Sequence, residues 1–380
     1  MRYDGRMMQI SVIIPAYKRI DQTLHTLDLL CASEGMGSVF TLEIIVADST
    51  PDESLKSAIQ KKYEYYSSRE KQDCAWVTRA EGLPLAGVPS VGGHGRTPAA
   101  GPQELKPDIN NLIVYVRPSK PGIAANKNAG AQAAHNPVLI FCDSDIEVEP
   151  DTVAKTLEAM QKHTSAAMIG GTVLWRGGPQ DVKKDRPRPE DRLKAASNTT
   201  YIEAFYSRYI ATYKQVFDAV GGYDEKIFNM RGEGSDLSAR YWRAGFPLVY
   251  DESIVVHHVH DVPDAAAVRV DHPEWGIAKD FLLLAYKYGM IGGEYRNFMA
   301  TVAANFSHLG KEGYFRLIEG IGRHFEEIVV AKSSLETFRT ADKPAYDFKF
   351  LEVFSDEKLF TSCITEAPIK LTGIHTNVFP

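Results

Sequence analysis

Apolar positions in the first half of the chain fall into short unbroken runs, separated by segments with helical spacing. Ile10-Ser11-Val12-Ile13-Ile14 is a β-rich run that stops at Pro15, and Leu24, Leu27 and Leu30 then share one helical face. Leu42 to Ala47 reads as a second buried strand, followed by a helix from Ser54 to Tyr66. Leu112 to Val116 is a third strand, Ile123 to Ala134 an Ala-rich helix, Val138 to Cys142 a fourth strand, and Asp151 to Lys162 another helix. Runs apolar at every position belong to strands covered on both faces, and their alternation with helices predicts an α/β fold around a mostly parallel, Rossmann-like sheet flanked by helices. Ligands of such sheets bind beyond the carboxyl ends of the strands. The loops after Ile14, Ala47 and Cys142 are therefore where chemistry is expected.

Two stretches break this rhythm. Gly82 to Pro107 holds eleven Gly or Pro in twenty-six residues, with few large apolar side chains, and reads as a flexible surface insertion. Arg176 to Arg192 is a second breaker-rich, charged stretch. After His260 the pattern turns helical, with Trp275 to Tyr288, Tyr295 to Leu309 and Tyr314 to Val330 as the elements. This places a domain over residues 1–262 and a mainly helical extension over 263–380, the latter a candidate homodimer contact or acceptor platform.

Composition narrows the function. Lys+Arg 43 against Asp+Glu 49 gives a net charge of −6, and 44% apolar content over 380 residues supplies a substantial core. With no dense Lys/Arg block, a nucleic-acid binder working by phosphate neutralisation is excluded. Cys31, Cys74, Cys142 and Cys363 include no CxxC pair and suit a reducing cytosol. No apolar run approaches the roughly 18 residues of a transmembrane segment. A cytoplasmic protein is expected, with a membrane-bound substrate left open.

Several residues then stand out chemically. Asp143-Ser144-Asp145 follows the fourth strand directly, and paired carboxylates there can hold a divalent cation, which in turn holds a diphosphate. His257-His258-x-His260 follows the run Ser253 to Val256 and offers nitrogen ligands, or is simply a surface cluster. Gly232-Glu233-Gly234-Ser235-Asp236 opens a helix, where acidic residues serve either as caps or as a general base. Lys127, on the Ala-rich helix, is either solvated or a phosphate partner. Asp48 is either a turn residue or an acceptor of hydrogen bonds from a nucleobase or ribose. Tyr201 to Tyr213 and Trp242 either stack on a sugar or pack a core.

In this order, the segments resemble the family 2 glycosyltransferases of the nucleotide-diphospho-sugar transferase (GT-A) fold. The matching pieces are Val12 to Tyr17, Glu43 to Asp48, Gly122 to Gly130, Phe141 to Asp145, Gly221 to Glu225, Gly232 to Arg240, and Arg243 to His258, covering roughly residues 9–260. The resemblance implies that Pro15, Tyr17 and Asp48 contact the nucleoside and that Lys127 lies near the diphosphate. It also implies that Asp143 and Ser144 line the donor site, and that Asp145, Asp143 and His257 hold Mn²⁺ or Mg²⁺. The reaction implied is transfer of a hexosyl or N-acetylhexosaminyl group from a nucleotide sugar, UDP-linked by default. Its acceptor is a hydroxyl on a glycan, a lipid-linked sugar or a small molecule.

One position departs from the family pattern. Inverting relatives carry Gly-Glu-Asp, with the Asp as base, whereas this chain has Gly232-Glu233-Gly234. Glu233 and Asp236 are then joint candidates for the base of a single displacement. The alternatives are a retaining reaction, or a degenerate homologue that binds a nucleotide sugar without turnover.

Overall fold

The computed structural model describes residues 7–67, 75–78, 111–164, 166–176, 184–185, 192–194, 199–202, 204–205, 207–228, 232–244, 246–259 and 310–323. The insertion 82–107 and the expected helices Trp275 to Tyr288 and Tyr295 to Leu309 lie outside them. The third expected tail helix, Tyr314 to Val330, overlaps the helix Gly310–Arg323.

The first half follows the apolar runs. Strand β1 (Met8–Ala16) leads to α1 (Ile20–Cys31), and β2 (Phe40–Asp48) to α2 (Ser54–Ser67). After β3 (Ala75–Thr78) come β4 (Asn111–Val116), α3 (Ile123–Ala133), β5 (Val138–Cys142), β6 (Ile146–Val148) and α4 (Thr152–Lys162). The second half adds β7 (Met168–Arg176), β8 (Lys184–Asp185), β9 (Arg192–Lys194), β10 (Thr200–Ile202), β11 (Tyr209–Tyr213), α5 (Lys214–Ala219), α6 (Glu233–Arg243) and β12 (Leu248–Val259).

These strands form one sheet in the order β3-β4-β2-β1-β5-β11-β7-β12-β10-β9, with β6 on β12 and β8 on β7. From β3 to β5 every pairing is parallel. Beyond β5 the sheet is mixed, because β11 runs antiparallel between β5 and β7 while β7 and β12 are parallel again.

Successive side chains on the central strands enter opposite cores, as the pleat requires. Ile10, Val12 and Ile14 pack with Leu27, Leu30, Leu55, Ile59 and Leu157 from α1, α2 and α4. Ile13, Leu139 and Phe141 face the other way, onto Ala124, Ala131, Val216, Phe217 and Leu237 from α3, α5 and α6. Tyr201 and Tyr209 are 4% and 3% exposed, and Trp242 Nε1 donates to the Ile202 carbonyl at 3.1 Å. These aromatics pack a core and are not a sugar-stacking surface.

The small residues of α3 let it lie close on β1. A Cβ on Gly130 would stand 2.4 Å from Ile13 Cγ2, so glycine is required there for the approach. That closeness carries Lys127 inward between the helix and the sheet. Cys31 is disulfide-bonded and Cys142 is a buried free thiol. A bonded Cys31 departs from the all-thiol expectation for a reducing compartment. No helix among the described residues is long and apolar enough to cross a membrane.

Candidate active site

The carboxyl ends of β1, β2 and β5 converge on one rim. Pro15 and Ala16 pair with Ala47 and Asp48 at the ends of β1 and β2. Tyr17, just beyond, is 44% exposed, with Lys18 Nζ 5.1 Å from its ring centroid. Asp48 does not open to solvent. Its Oδ1 accepts from the Thr50 amide at 2.8 Å and its Oδ2 from the Tyr115 hydroxyl at 2.8 Å, leaving it fully buried. Burial and this carboxylate together push the Tyr115 hydroxyl well above its usual pKa. Asp48 thus shapes the end of β2 from beneath, while Tyr17 is the residue of this group that faces outward.

Lys127 is the largest correction to the sequence reading. Its side chain is 0% exposed, and Nζ donates to the Ser207 carbonyl and hydroxyl, each at 3.0 Å. The same ammonium lies 3.1 Å from Asp143 Oδ1 and 3.4 Å from Glu233 Oε1, and 5.5 Å from the centre of the Tyr223 ring. Burial alone would lower its pKa, but Asp143 and Glu233 outweigh burial and raise it, so the lysine is held charged. An ammonium enclosed in this way does not project into solvent, as a lysine on an exposed Ala-rich helix would. It is instead the counter-charge that brings Asp143 and Glu233 together. Burial raises Asp143, with Lys127 opposing and Asp145 and Glu233 adding to the rise.

The two candidate bases separate clearly. Glu233 opens α6 after Gly232, whose φ of 77° suits a residue without a Cβ. Its Oε1 also accepts from Ser207 Oγ at 2.9 Å, and its side chain is 10% exposed. Asp236 is 0% exposed and accepts from Arg240 Nε at 2.9 Å, with Arg240 Nη2 at 2.8 Å. Arg240 Nη1 continues to the Val220 carbonyl at 2.7 Å. Asp236 is therefore an internal anchor of α6 with no route to an acceptor hydroxyl. Glu233 alone of the pair stands beside Asp143.

Asp145 heads β6, and β6 pairs antiparallel with β12, His258 opposite Ile146 and His257 opposite Glu147. The Val259 amide donates to the Asp145 carbonyl at 3.0 Å and fixes this register. His258 then turns toward Asp145, with Nε2 3.2 Å from Oδ2. His257, one residue earlier, projects to the opposite face, where its Nε2 meets Glu149 Oε1 at 2.5 Å and Arg176 Nη2 at 3.0 Å. The histidine that joins the acidic pair is His258, not His257. The Trp175 ring packs edge-on to His258 with centroids 4.5 Å apart, and the Arg208 guanidinium lies 5.0 Å over that indole. Burial works against ionisation of Asp145, but His258 and the paired Arg19 prevail and hold its carboxyl below the usual range. Ser144 is 6% exposed, and its carbonyl accepts from Thr26 Oγ1 at 3.1 Å.

No group of three His, Cys, Asp or Glu side chains able to hold a metal exists among the described residues. Two donors do suit one cation. Neighbouring ligands of an octahedral ion at about 2.1 Å stand roughly 3 Å apart, which the Asp145–His258 separation of 3.2 Å matches. An N/O donor pair suits Mn²⁺ or Mg²⁺, the remaining positions being left to water and phosphate oxygens. Arg19 and Arg208 are not among the candidate residues of the sequence, and His258 stands among three candidate histidines of which the resemblance favours His257. Adjacent histidines on one strand cannot be told apart without the register, and the arginines carry no motif of their own.

Residues 102–222 match the profile described as Glycosyl transferase family 2. The glucosyl-dolichyl phosphate glucuronosyltransferase of Haloferax volcanii is 25% identical over 166 residues, 40% of this chain and 52% of that protein. The chain thus spans about half the length of this curated relative. Among solved structures, GalNAc-T7 with UDP, GalNAc and Mn²⁺ overlaps with a TM-score of 0.53 at 15% identity, covering 95% of this chain and 58% of that one. Mannosyltransferase PcManGT from Pyrobaculum calidifontis, in complex with GDP-Man and Mn²⁺, overlaps with a TM-score of 0.47 at 12% identity, covering 94% and 81%. The likeness to GalNAc-T7 is one of fold.

Proposed function

We propose, for a chain whose residues 102–222 match the family 2 glycosyltransferase profile and whose mostly parallel sheet shares the fold of GalNAc-T7, a metal-dependent transfer of a sugar from a nucleotide diphosphate to an acceptor hydroxyl. The observation that carries this reading is Asp145 and His258, brought to 3.2 Å at the carboxyl rim of the sheet. Together they would hold Mn²⁺ or Mg²⁺, which when bound neutralises charge on the departing diphosphate. The exposed Tyr17, with Pro15 behind it, would receive the nucleoside, and UDP is the default donor.

Glu233 would act as general base in an inverting displacement, taking the acceptor proton on a carboxylate oxygen. Lys127 holds Glu233 and Asp143 side by side, with Nζ 3.4 Å from Glu233 Oε1 and 3.1 Å from Asp143 Oδ1, which fixes the orientation of both. The name of the curated relative, a glucuronosyltransferase acting on glucosyl-dolichyl phosphate, favours a lipid-linked sugar among the open acceptor classes. A retaining reaction is the second reading, supported by Gly234 standing where inverting relatives carry their base.

The test is a thermal-shift panel of nucleotide sugars with and without Mn²⁺, on wild type and Asp145→Asn. A donor at 100 times its dissociation constant adds about 2.7 kcal/mol. Stabilisation by one nucleotide sugar, only with metal and only in the wild type, is the expected result. A panel with no metal-dependent binder would refute the proposal.

A further inference from the structure

We propose that Arg19 is a movable counter-ion of the donor site. It pairs with Asp145 while the site is empty of metal and passes to the diphosphate when metal and nucleotide arrive, so that the two bind with positive coupling. This inference rests on the function proposed above and adds a residue and a binding order to it.

The geometry is specific. Arg19 Nη1 pairs with Asp145 Oδ2, the same oxygen that His258 Nε2 approaches at 3.2 Å. A cation held by Asp145 Oδ2 and His258 Nε2 would compete with the guanidinium for that oxygen, because like charges brought this close repel and the ion needs the lone pair the guanidinium occupies. The displaced side chain is 26% exposed and so has room to move. Among the described residues its ion-pair partner is Asp145.

The backbone keeps Arg19 at the site after displacement. Lys18 has a φ of 56° and its amide donates to Thr50 Oγ1 at 2.8 Å, which turns the loop after β1 sharply toward Asp145. The Arg19 carbonyl accepts from Thr23 Oγ1 at 2.5 Å inside the first turn of α1. Arg19 is itself the N-cap of α1, where the helix dipole disfavours a cation and an incoming anion relieves it. A diphosphate ligating the metal on Asp145 would present oxygens within reach of this guanidinium, which is suited to phosphate geometry.

Free metal must then break the Arg19–Asp145 pair with no compensation, whereas metal with a nucleoside diphosphate supplies a new partner. Coupling of this kind typically amounts to 5–150-fold. The experiment measures Mn²⁺ binding by electron paramagnetic resonance, with and without UDP or GDP, on wild type, Arg19→Gln and Arg19→Lys. Circular dichroism confirms that each variant is folded. Arg19→Gln is expected to bind Mn²⁺ alone about tenfold more tightly, and to lose about tenfold of the enhancement that the nucleotide gives the wild type. Arg19→Lys restores most of the coupling. Equal affinity of wild type and Arg19→Gln for free Mn²⁺ overturns the displacement, and an unchanged nucleotide enhancement overturns the transfer to diphosphate. If folded wild type binds no Mn²⁺ with any nucleoside diphosphate, the glycosyltransferase site itself is refuted, a result distinct from either of these.

Discussion

Removing the Lys127 ammonium is the sharpest perturbation available in this site. The lysine is fully enclosed, and the two carboxylates it serves, Asp143 and Glu233, are 17% and 10% exposed, so solvent screening takes little from the interaction. Taking one partner out of a buried ion pair typically costs about 3–5 kcal/mol, because the opposite charge is left without compensation. Lys127→Met strands two carboxylates together and belongs at the upper part of that range. At roughly 2–4 °C per kcal/mol, the melting temperature should fall by about 8–20 °C.

The loss should depend on pH with a definite sign. Asp143 titrates above its usual value of 3.8, so its contribution is fully present below that value and disappears as pH rises through the folded pKa. Removing the ammonium widens this swing, so the deficit of Lys127→Met should be largest at pH 8 and shrink toward pH 4. Adding Glu233→Gln to the variant removes one stranded charge and should recover about 1–2 kcal/mol, a non-additivity that contact predicts. Urea unfolding followed by tryptophan fluorescence, repeated across pH, measures each quantity. A Lys127→Met protein that lost less than about 1 kcal/mol at every pH, yet failed to bind nucleotide, would show a lysine serving the diphosphate and refute the counter-charge argument.

Further outcomes follow from the same geometry. Glu233→Gln should lower turnover by about 10²–10⁴ with the protein still folded, whereas Asp236→Asn should cost about 3–5 kcal/mol by stranding buried Arg240; steady-state kinetics beside thermal unfolding separates the two roles. His258→Gln should weaken Mn²⁺ binding by about 10–100-fold, a factor seen when a metal site loses support, while His257→Gln leaves it unchanged in the same titration. Gly130→Ala should destabilise by about 1–3 kcal/mol through the clash with Ile13, and adding Ile13→Val should relieve part of it in a denaturation series. Asp145 is held below its unfolded value, so its pairing stabilises above that value and is lost as pH falls; Asp145→Asn should therefore flatten the acid limb of the stability profile below about pH 4.

The sequence by itself determined the sheet of the first half and the rim that carries the candidate site. Continuous apolar runs such as Leu42 to Ala47 and Val138 to Cys142 are local signals, and strands buried on both faces need nothing distant to announce them. Asp143 and Asp145 were legible for the same reason, because a strand's end is visible in its own few residues. The strands Ala75–Thr78 and Met168–Arg176 and the antiparallel insertion of Tyr209–Tyr213 were not legible. Their place depends on partners far along the chain.

The choice between neighbouring or equivalent side chains belonged to the tertiary structure alone. His257 and His258 differ by one step of the pleat, and only the register of β12 on β6 decides which one meets Asp145. Glu233 and Asp236 share the first turn of α6, yet one faces Lys127 and the other is sealed against Arg240. Lys127 reads as a phosphate ligand wherever its helix is solvated. It becomes a buried counter-charge because Gly130 lets that helix settle onto Ile13. Each outcome turns on burial and on charges brought together from distant segments, and these exist only once the chain has folded.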